Sequence, residues 1–378
     1  MQIIIGGDLV PTQQNVDLFK EGNTTSLLGS HLREIWDSVD IRIFNLETPL
    51  TDYKTPISKN GSSLMAPTST IKGIKALNPT LLTLANNHIL DQGTKGLVST
   101  LNLLKENGIA YVGVGDNLKE ASKPYILEID DYKIGVYACA EHEFSIATKT
   151  NKGANPFDPL ESLDQLQNLK KSCNYVIVLY HGGKEHYRYP SPYLQKLCRK
   201  MVQKGADLVV CQHSHCIGCF EEYEGSTIVY GQGNFLFNKH DNIFWNNSLL
   251  IKVNIKENIS IEYIPIVTTQ NGIKLAEAQE VENILLEFKD RSNKILQEGF
   301  IELEYKEFAQ KYRDSYLRSL SGFGKLLSRL DKYILKGILV KGLYSRNKTL
   351  LIRNFIECEA HRELFLQCLK GEKTGERN

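Results

Sequence analysis

Side chains that commonly bind metal ions come directly after short apolar segments of this sequence. The segments are IIIGG, IRIFNL, LLTLAN, VIVLY and DLVVCQ, and the residues that follow them are Asp8, Glu47, Asn87, His181, and the pair His213 and His215. If the segments are parallel strands, these residues lie outside the carboxyl ends of the strands, where ligands bind in α/β proteins. Carboxylate, amide and imidazole groups from five strand ends therefore predict a metal-binding crevice.

Each residue also has a simpler structural interpretation. Asp8 is typical of a turn or a helix cap, and Glu47 of the NLETP turn. Asn87 suits a left-handed turn position, and His181 could be a hydrogen-bonded residue at a strand end. The pair at 213 and 215 is more specific, because two histidines so spaced after a buried strand are uncommon without metal. The metal interpretation depends on all these residues occurring together.

Four further polar residues lie near the same strand ends and are predicted to bind substrate: Asn45, His142, Lys184 and Arg188. Asn45 immediately precedes the end of the IRIFNL segment. His142 follows the KIGVYACA segment, where a solvated charged turn is the alternative. Lys184 and Arg188 come just after the VIVLYH segment, and a cation there could bind a substrate anion. A surface loop is nearly as good an interpretation of that segment.

The elements that must position these residues alternate between strands and helices. Strand-like segments occur at 2–6, 40–46, 80–85, 175–180 and 207–212. Amphipathic helical segments occur at 94–107, 160–171 and 193–204. This alternation predicts an α/β protein with parallel strands. Three later segments, 226–230, 248–255 and 259–267, have no helices between them and predict a mixed or second sheet.

The character of the sequence changes after residue 270, which predicts a domain at 1–270 and a helical C-terminal region at 271–378. Within that region, residues 318–353 interleave Lys and Arg with Leu and Ile. Such a segment could lie on an anionic membrane surface or contact a polymer-synthesis complex. A helix packed on the main domain with solvated lysines is the favoured interpretation. The last eight residues, GEKTGERN, are predicted to be disordered.

Bulk composition restricts the class of protein. The chain has 378 residues, 42% hydrophobic and 24% charged, as expected for a globular protein with a sizeable core. A net charge of +1 argues against nucleic acid as a partner. No signal-peptide pattern or transmembrane stretch occurs, and most of the eight cysteines lie in apolar runs. We therefore expect a reduced, cytoplasmic protein, with a peripheral position at the inner membrane face as an extension of that expectation.

The amino-acid sequences of the strand-end segments resemble those of a known family. GGD, FNLETPL, LANNHILDQG, HGGKEHYRYP, GADLVVCQHSH and VYGQGNFLF occur in order over about residues 1–267. They resemble the CapA-type proteins of poly-γ-glutamate capsule biosynthesis, within the calcineurin-like metallophosphoesterase superfamily. The resemblance implies a four-layer α/β/β/α sandwich, here with a helical C-terminal extension. It also implies a phosphoesterase-like enzyme of capsule, exopolysaccharide or polyglutamate-type polymer biosynthesis, acting on a small or polymer-linked anionic substrate.

The resemblance assigns roles to residues of this sequence. Asp8, Glu47, Asn87, His181, His213 and His215 match ligands of two divalent ions, with Glu47 as the bridging carboxylate. Mn, Fe or Zn suits this mixed N/O set, and two such ions would activate water and neutralise phosphoryl charge. His88 matches the catalytic acid, and Asp91 the residue that orients it. Val10 stands where many relatives have a histidine, so Asn45 or water is expected to substitute. An amide-bond-forming enzyme or an accessory subunit is the alternative function.

Overall fold

A computed structural model describes residues 1–129, 131–238, 242–255 and 259–370 of the chain. The prediction for the last eight residues therefore lies outside the described part. Two compact units are present, and the first ends at Glu302 while the second begins at Leu303. All the predicted site residues belong to the first unit.

Strands of the first unit follow the apolar segments of the sequence. They are β1 (Gln2–Leu9), β2 (Ile41–Leu46), β3 (Leu81–Thr83), β4 (Tyr111–Val112), β5 (Val114–Gly115), β6 (Tyr125–Ile129), β7 (Tyr132–Ala140), β8 (Gly153–Ala154), β9 (Tyr175–His181), β10 (Leu208–Gln212), β11 (Phe220–Tyr223), β12 (Ser226–Val229), β13 (Asn247–Asn254), β14 (Ser260–Thr268) and β15 (Ile273–Leu275). All five predicted strands of the α/β part are present, although β3 is shorter than predicted.

Two sheets carry almost all of these strands. In the first, the order is β15-β14-β13-β1-β2-β3-β4, with β1 to β4 parallel and β13 to β15 antiparallel. In the second, the order is β11-β12-β10-β9-β7-β6, with β7, β9, β10 and β12 parallel. Both sheets are mixed, and the later strands divide between them. The prediction of a mixed or second sheet is confirmed.

Helices of the first unit cover the outer faces of the sheets or connect strands. They are α1 (Val16–Glu21), α2 (Thr24–Leu28), α3 (Ser30–Ser38), α4 (Ile71–Ala76), α5 (Gly93–Glu106), α6 (Leu118–Ala121), α7 (Ser162–Ser172), α8 (Pro192–Gln203) and α9 (Ala278–Lys294). The three predicted helices correspond to α5, α7 and α8. Ser191 caps α8 by accepting a hydrogen bond from the amide of Leu194, and Pro192 occupies the first turn, where its missing N–H costs nothing.

Alternate side chains of each strand enter different cores, because successive residues of a strand point to opposite faces. Ile3 and Ile5 of β1 lie between the sheets with Ile177 of β9. Ile4 lies on the opposite face, in a core with helix residues such as Leu97. A third core joins the outer face of the second sheet to α7 and α8. The order of layers is therefore helix, sheet, sheet, helix, which confirms the predicted four-layer sandwich.

The division of the chain differs from the predicted boundary at residue 270. Helix α9 packs against β11 and β14 through Phe288, whose ring lies 5.1 Å from that of Phe220 and 4.9 Å from that of Tyr263. Arg291 of the same helix donates from Nε to the carbonyl oxygen of Gly218 at 2.7 Å. These contacts join α9 to the first unit. A helical sequence is therefore not sufficient to place a residue in the second unit.

The second unit is helical. Its helices are α10 (Phe300–Leu320), which begins in the first unit, α11 (Lys325–Tyr333), α12 (Ile338–Leu343), α13 (Arg346–Glu357) and α14 (Glu359–Lys370). A small core of Leu317, Val340 and Tyr344 lies inside it. Within the described residues, no helix combines the length and hydropathy that crossing a bilayer requires. All eight cysteines of the chain are free thiols.

Candidate metal centre

Asp8 reaches the centre because the backbone of β1 is irregular beside it. The pairing of β1 with β2 shifts register between Ile5 and Asp8, as at a β-bulge, and this brings Asp8 opposite Asn45. Gly7 is required at the irregularity, because a Cβ there would lie 2.1 Å from the carbonyl oxygen of Gly233. The close approach also pairs Asp8 with Asn234 in an isolated bridge. The backbones of the GGD and GQGN motifs are thus in direct contact with each other.

The end of β2 supplies both Asn45 and Glu47, which are completely buried. Asn45 donates from Nδ2 to Oδ1 of Asp8 at 2.8 Å, and its own oxygen accepts from Asn86 at 3.0 Å. Its amide is therefore used to orient Asp8. These contacts give Asn45 a positioning role in this structure, and its binding of substrate or its substitution as a metal ligand stays a prediction.

The two histidines after β10 have unusual backbone conformations. His213 has φ of 83° and His215 has φ of 52°, both in the left-handed region that residues with a Cβ rarely adopt. The amide of His213 also donates to Oδ2 of Asp8 at 3.2 Å. Backbone strain of this kind persists where the surrounding structure enforces it, and it concentrates at functional sites. Here it turns two imidazoles from one short segment toward the buried carboxylates.

The structure brings the predicted ligands together in two groups that share one residue. Glu47, His181 and His213 form one group, and Asp8, Glu47 and His215 form the other; within each group the potential ligand atoms lie within 4.8 Å of one another. Nε2 of His181 lies 3.1 Å from Oδ1 of Asn87, 3.2 Å from Oε1 of Glu47 and 3.2 Å from Nδ1 of His213. Glu47, for which the family resemblance implies a bridging role, belongs to both groups.

The donor atoms fit a metal ion. Both carboxylate oxygens of Glu47 are buried and have no hydrogen-bond partner among the described residues, although Nε2 of His181 is close. A buried carboxylate is costly unless it is paired or coordinates a cation. Lone-pair atoms of Glu47, His181, His213 and Asn87 converge, which a shared cation would favour. A mixed set of oxygen and nitrogen ligands suits Mn, Fe or Zn.

The charges of the centre are strongly coupled. Burial alone would raise the pKa of Asp8, but the imidazoles of His215 and His181 outweigh it and hold that pKa far below its usual value. Burial likewise opposes charge on His215, yet Glu47 and Asp8 raise its pKa to about 9. Burial and the neighbouring imidazoles depress the pKa of His213. His213 is therefore neutral at physiological pH, which is the form that binds metal.

A histidine–carboxylate pair lies beside the centre. Nδ1 of His88 is 2.6 Å from Oδ2 of Asp91, which is completely buried and also accepts from the amide of Leu64 at 2.6 Å. Lys59 completes the group: its ammonium forms an ion pair with Asp91 and lies 3.2 Å from Nδ1 of His88. Sequence reasoning missed Lys59, because its segment PISKNGSS has the composition of a solvated loop.

The other predicted substrate-binding residues make no recorded contact with the ligand groups among the described residues. His142 and Lys184 are exposed. Arg188 is engaged elsewhere: its guanidinium pairs with Glu287 of α9 at 3.2 Å and lies over the ring of Phe244 at 5.1 Å. The prediction that Arg188 binds substrate is therefore not supported by its contacts. Glu143 approaches the centre, with Oε1 at 4.0 Å from Nε2 of His213.

Aromatic side chains form one wall of the centre near His215. Trp245 lies 4.8 Å from the His215 ring and 4.6 Å from the ring of Phe237, measured between centroids. Nδ1 of His215 is 2.8 Å from Oδ1 of Asn234. Asn234 therefore fixes the ring of His215, a predicted ligand, whereas the sequence analysis did not predict the aromatic wall. Its residues come from the segment after β12, where aromatic residues resemble ordinary core positions.

Known proteins match the part of the chain that contains the candidate centre. A family model described as "Bacterial capsule synthesis protein PGA_cap" matches residues 2–239. A "Capsule biosynthesis protein CapA" of Bacillus anthracis is 31% identical over 204 residues, which is 52% of this chain and 49% of the relative. A "PGA biosynthesis protein CapA" of Bacillus subtilis is 29% identical over 240 residues, 60% of this chain and 61% of the relative. The chain thus spans about half to three fifths of these curated relatives.

More distant relatives and solved structures were also found. A "Probable polyglutamine synthesis accessory protein" of Mycobacterium tuberculosis is 28% identical over 211 residues, 52% of this chain and 55% of the relative. A "novel phosphatase" of Mycoplasma pneumoniae aligns with TM-score 0.45 at 13% identity, over 75% of this chain and 96% of that one. A 5'-nucleotidase precursor of Thermus thermophilus gives TM-score 0.43 at 13% identity, over 77% and 58%. TM-scores and identities this low do not indicate the activity of this chain.

Proposed function

The chain belongs to the bacterial capsule synthesis protein (PGA_cap) family, and from that premise we propose that it is a metal-dependent phosphoesterase. We propose that it acts on an anionic substrate in the synthesis of a capsule, exopolysaccharide or poly-γ-glutamate-type polymer. One observation carries the proposal: two groups of potential ligands share the buried, unbonded carboxylate of Glu47 and lie beside the His88–Asp91 pair.

Divalent ions held by Glu47, His181 and His213, and by Asp8, Glu47 and His215, would neutralise phosphoryl charge and make water a better nucleophile. Around them, the residues of the chain have separate tasks. Asn45 fixes the orientation of Asp8 through its hydrogen bond. Asn87 offers a neutral oxygen, which avoids adding negative charge next to an anionic substrate.

His88 is suited to give a proton to the departing oxygen. Nδ1 of His88 donates a hydrogen bond to Asp91, so the opposite ring nitrogen, Nε2, is left to exchange the proton with substrate. Lys59 holds Asp91 by an ion pair and the amide of Leu64 holds it by a hydrogen bond. Together they fix the carboxylate and hence the orientation of the ring. Lys59 is in this sense a positioning residue.

The test is turnover of phosphomonoester and phosphodiester probes, such as p-nitrophenyl phosphate and bis-p-nitrophenyl phosphate, with Mn²⁺, Fe²⁺ or Zn²⁺. We expect turnover that a chelator abolishes, that His213→Ala abolishes, and that His88→Ala reduces strongly. Circular dichroism of each variant checks that it is folded. If protein shown to bind metal is inert toward a broad panel of phosphoesters, the proposal is wrong.

A second candidate function is an amide-bond-forming enzyme, or an accessory subunit of a polymer-synthesis complex, that uses the same metal pocket. The observation that favours it is the description of the Mycobacterium tuberculosis relative as a polyglutamine synthesis accessory protein. Its test is polymer formation by a glutamate ligase with and without this chain. Stimulation by wild type but not by Glu47→Gln, in the absence of phosphoester turnover, would favour the second candidate over the first.

A further inference from the structure

Residues 318–353, which we call the basic segment, concentrate positive charge in the second unit. The segment contains nine Lys or Arg residues and a single acid, Asp331, so its net charge is +8. The whole chain carries only +1, so the remaining residues carry −7. A surface this basic, within a chain that is otherwise acidic, attracts an anionic partner locally.

The single acid of the basic segment does not offset this charge at the surface. Asp331 is completely buried, where it accepts from Nε of Arg318 at 3.0 Å and from the amide of Leu339 at 2.9 Å. The other eight basic residues are exposed. Two of them pair with acids outside the segment, Lys341 with Asp314 at 3.6 Å and Arg353 with Glu357 at 2.7 Å. Six exposed cations therefore remain, three of them in α11.

Helix α11 presents its apolar residues to solvent. Leu326, Leu330 and Tyr333 of the helix, and Ile334 directly after it, are spaced i, i+4, i+7 and i+8, which places them on one side. We call these four residues the apolar stripe; they are exposed by 84%, 40%, 68% and 69%, and Ile338 at the start of α12 is also exposed, at 66%. In this fully described helix, the one buried residue is Asp331. The helix thus buries its acid and exposes its leucines, the reverse of a helix that serves a protein core.

Lys325, Arg329 and Lys332 flank the apolar stripe on the same helix. The aliphatic parts of these side chains are long, so their ammonium and guanidinium groups can extend away from the stripe toward anionic groups of a partner. An amphipathic helix of this kind, with Leu and aromatic residues on one side and Lys or Arg beside them, binds in the plane of a membrane interface. Anionic headgroups attract the cations, while the apolar stripe enters the boundary of the acyl chains.

We propose that α11 and the start of α12 bind the surface of an anionic lipid bilayer, with the apolar stripe inserted and the cations at the headgroups. A second copy of the chain fits less well, because two surfaces of the same strong positive charge would repel. Nucleic acid would use the cations but leave the aliphatic stripe in water. The proposal is independent of the proposed phosphoesterase function, whose candidate residues lie in the first unit.

The experiment is sedimentation of the full chain with vesicles of phosphatidylcholine alone or mixed with phosphatidylglycerol. We expect binding only to the mixed vesicles, and weaker binding at high salt because exposed charges are screened. Lys325→Gln with Arg329→Gln should reduce partitioning roughly 30-fold, given the usual strength of each basic residue near an anionic surface. Leu326→Ser with Ile334→Ser should reduce it at least as much, because insertion of the stripe is lost.

A matched control uses two leucines of similar exposure outside the basic segment, Leu286 at 66% and Leu296 at 63%. Leu286→Ser with Leu296→Ser should leave vesicle binding unchanged. Equal binding to neutral vesicles, no binding by wild type, or full binding by the stripe variant would each overturn the proposal. So would a dimer that forms with increasing concentration and is lost in the stripe variant, since it would assign the stripe to a second copy. Phosphoester turnover by the same variants separates this outcome from failure of the proposed function.

Discussion

Replacing Glu47 by Gln should abolish the stabilisation that metal gives to this protein. Glu47 is completely buried, belongs to both ligand groups, and has no hydrogen bond to either carboxylate oxygen within the described residues. Glutamine keeps the size of the side chain and removes its charge. The change therefore tests the carboxylate as a ligand, with little disturbance of packing.

The expected size of the effect follows from linkage. A metal present at about 100 times its dissociation constant stabilises the folded state by about 2.7 kcal/mol per ion. For a first unit of 302 residues, an unfolding entropy of about 2.1 cal/mol/K per residue gives roughly 0.6 kcal/mol/K. One ion should therefore raise Tm by about 4 °C, and two ions by about twice as much. The increase in Tm per tenfold metal concentration then reports how many ions bind.

The measurement is thermal unfolding with a chelator and then with increasing Mn²⁺, for wild type, Glu47→Gln and a control variant. Glu221→Gln is the matched control, because Glu221 is buried outside the centre and is satisfied by Arg199 at 2.9 Å and Tyr230 at 2.9 Å. It should lose about 1–2 kcal/mol without metal but keep the full metal shift. Glu47→Gln should also unfold at a lower temperature than wild type without metal, because it loses the attraction that raises the pKa of His215, but it should shift by less than about 1 °C with metal.

The opposite pattern would refute the reasoning. If Glu47→Gln still responds fully to Mn²⁺, then its carboxylate serves only to stabilise the fold through contacts to the histidines. In that case the convergence of Glu47, His181 and His213 would be a structural network. The assignment of a metal centre would then fail, and with it the proposed activity.

Three further predictions concern the chemistry, the electrostatics and the backbone of the centre. His88→Gln should lower kcat by roughly 10²–10⁴-fold while leaving the metal-induced rise in Tm intact, as measured by initial rates and thermal unfolding. Metal affinity should rise with pH and level off above about 9, because His215 must lose its proton to become a ligand; titration calorimetry at several pH values measures this. Gly7→Ala should destabilise the first unit by about 3 kcal/mol or more, because its Cβ would overlap the oxygen of Gly233; urea unfolding measures it.

Each of these has its own check. His88→Gln that loses the metal shift would mean that the ring supports the ligands instead of acting on substrate. A metal affinity that does not change between pH 6 and 9 would contradict the coupling of His215 to Glu47 and Asp8. A Gly7→Ala protein as stable as wild type would contradict the close approach of Gly7 to the carbonyl oxygen of Gly233.

Much of the centre could be predicted because it depends on strand ends. Apolar runs identify parallel strands, and the chemistry of such sheets gathers where those strands end, so Asp8, Glu47, His181, His213 and His215 could be grouped before any coordinates. The four-layer arrangement could be predicted only through the family resemblance. Strand patterns indicate that sheets form, but they do not state which strand joins which sheet.

Other residues of the centre carry no sequence signal because their roles come from long-range contacts. Lys59 lies in a polar loop and reaches the centre only because that loop folds over the start of α5, where Leu64 and Thr55 bond to Asp91 and Gln92. Asn45 was identified as a polar strand-end residue, but the direction of its amide depends on Asn86. The position of a residue relative to a strand end thus predicts that it lies near the centre. Its role there depends on its hydrogen-bond partners, which the sequence does not reveal.

The two units also show why net charge must be judged segment by segment. A chain at +1 gives no electrostatic reason to expect an anionic partner, and the sequence analysis used that value against nucleic acid. Yet a charge acts over only about 8–10 Å at physiological salt, so the +8 of the basic segment is not cancelled by acids elsewhere in the chain. Whether it recruits a bilayer then depends on the neighbouring apolar stripe. Leu326 and Ile334 are mostly exposed, so the basic residues and the apolar stripe can contact the same bilayer. Removing either the charges or the stripe should therefore release the protein from the bilayer.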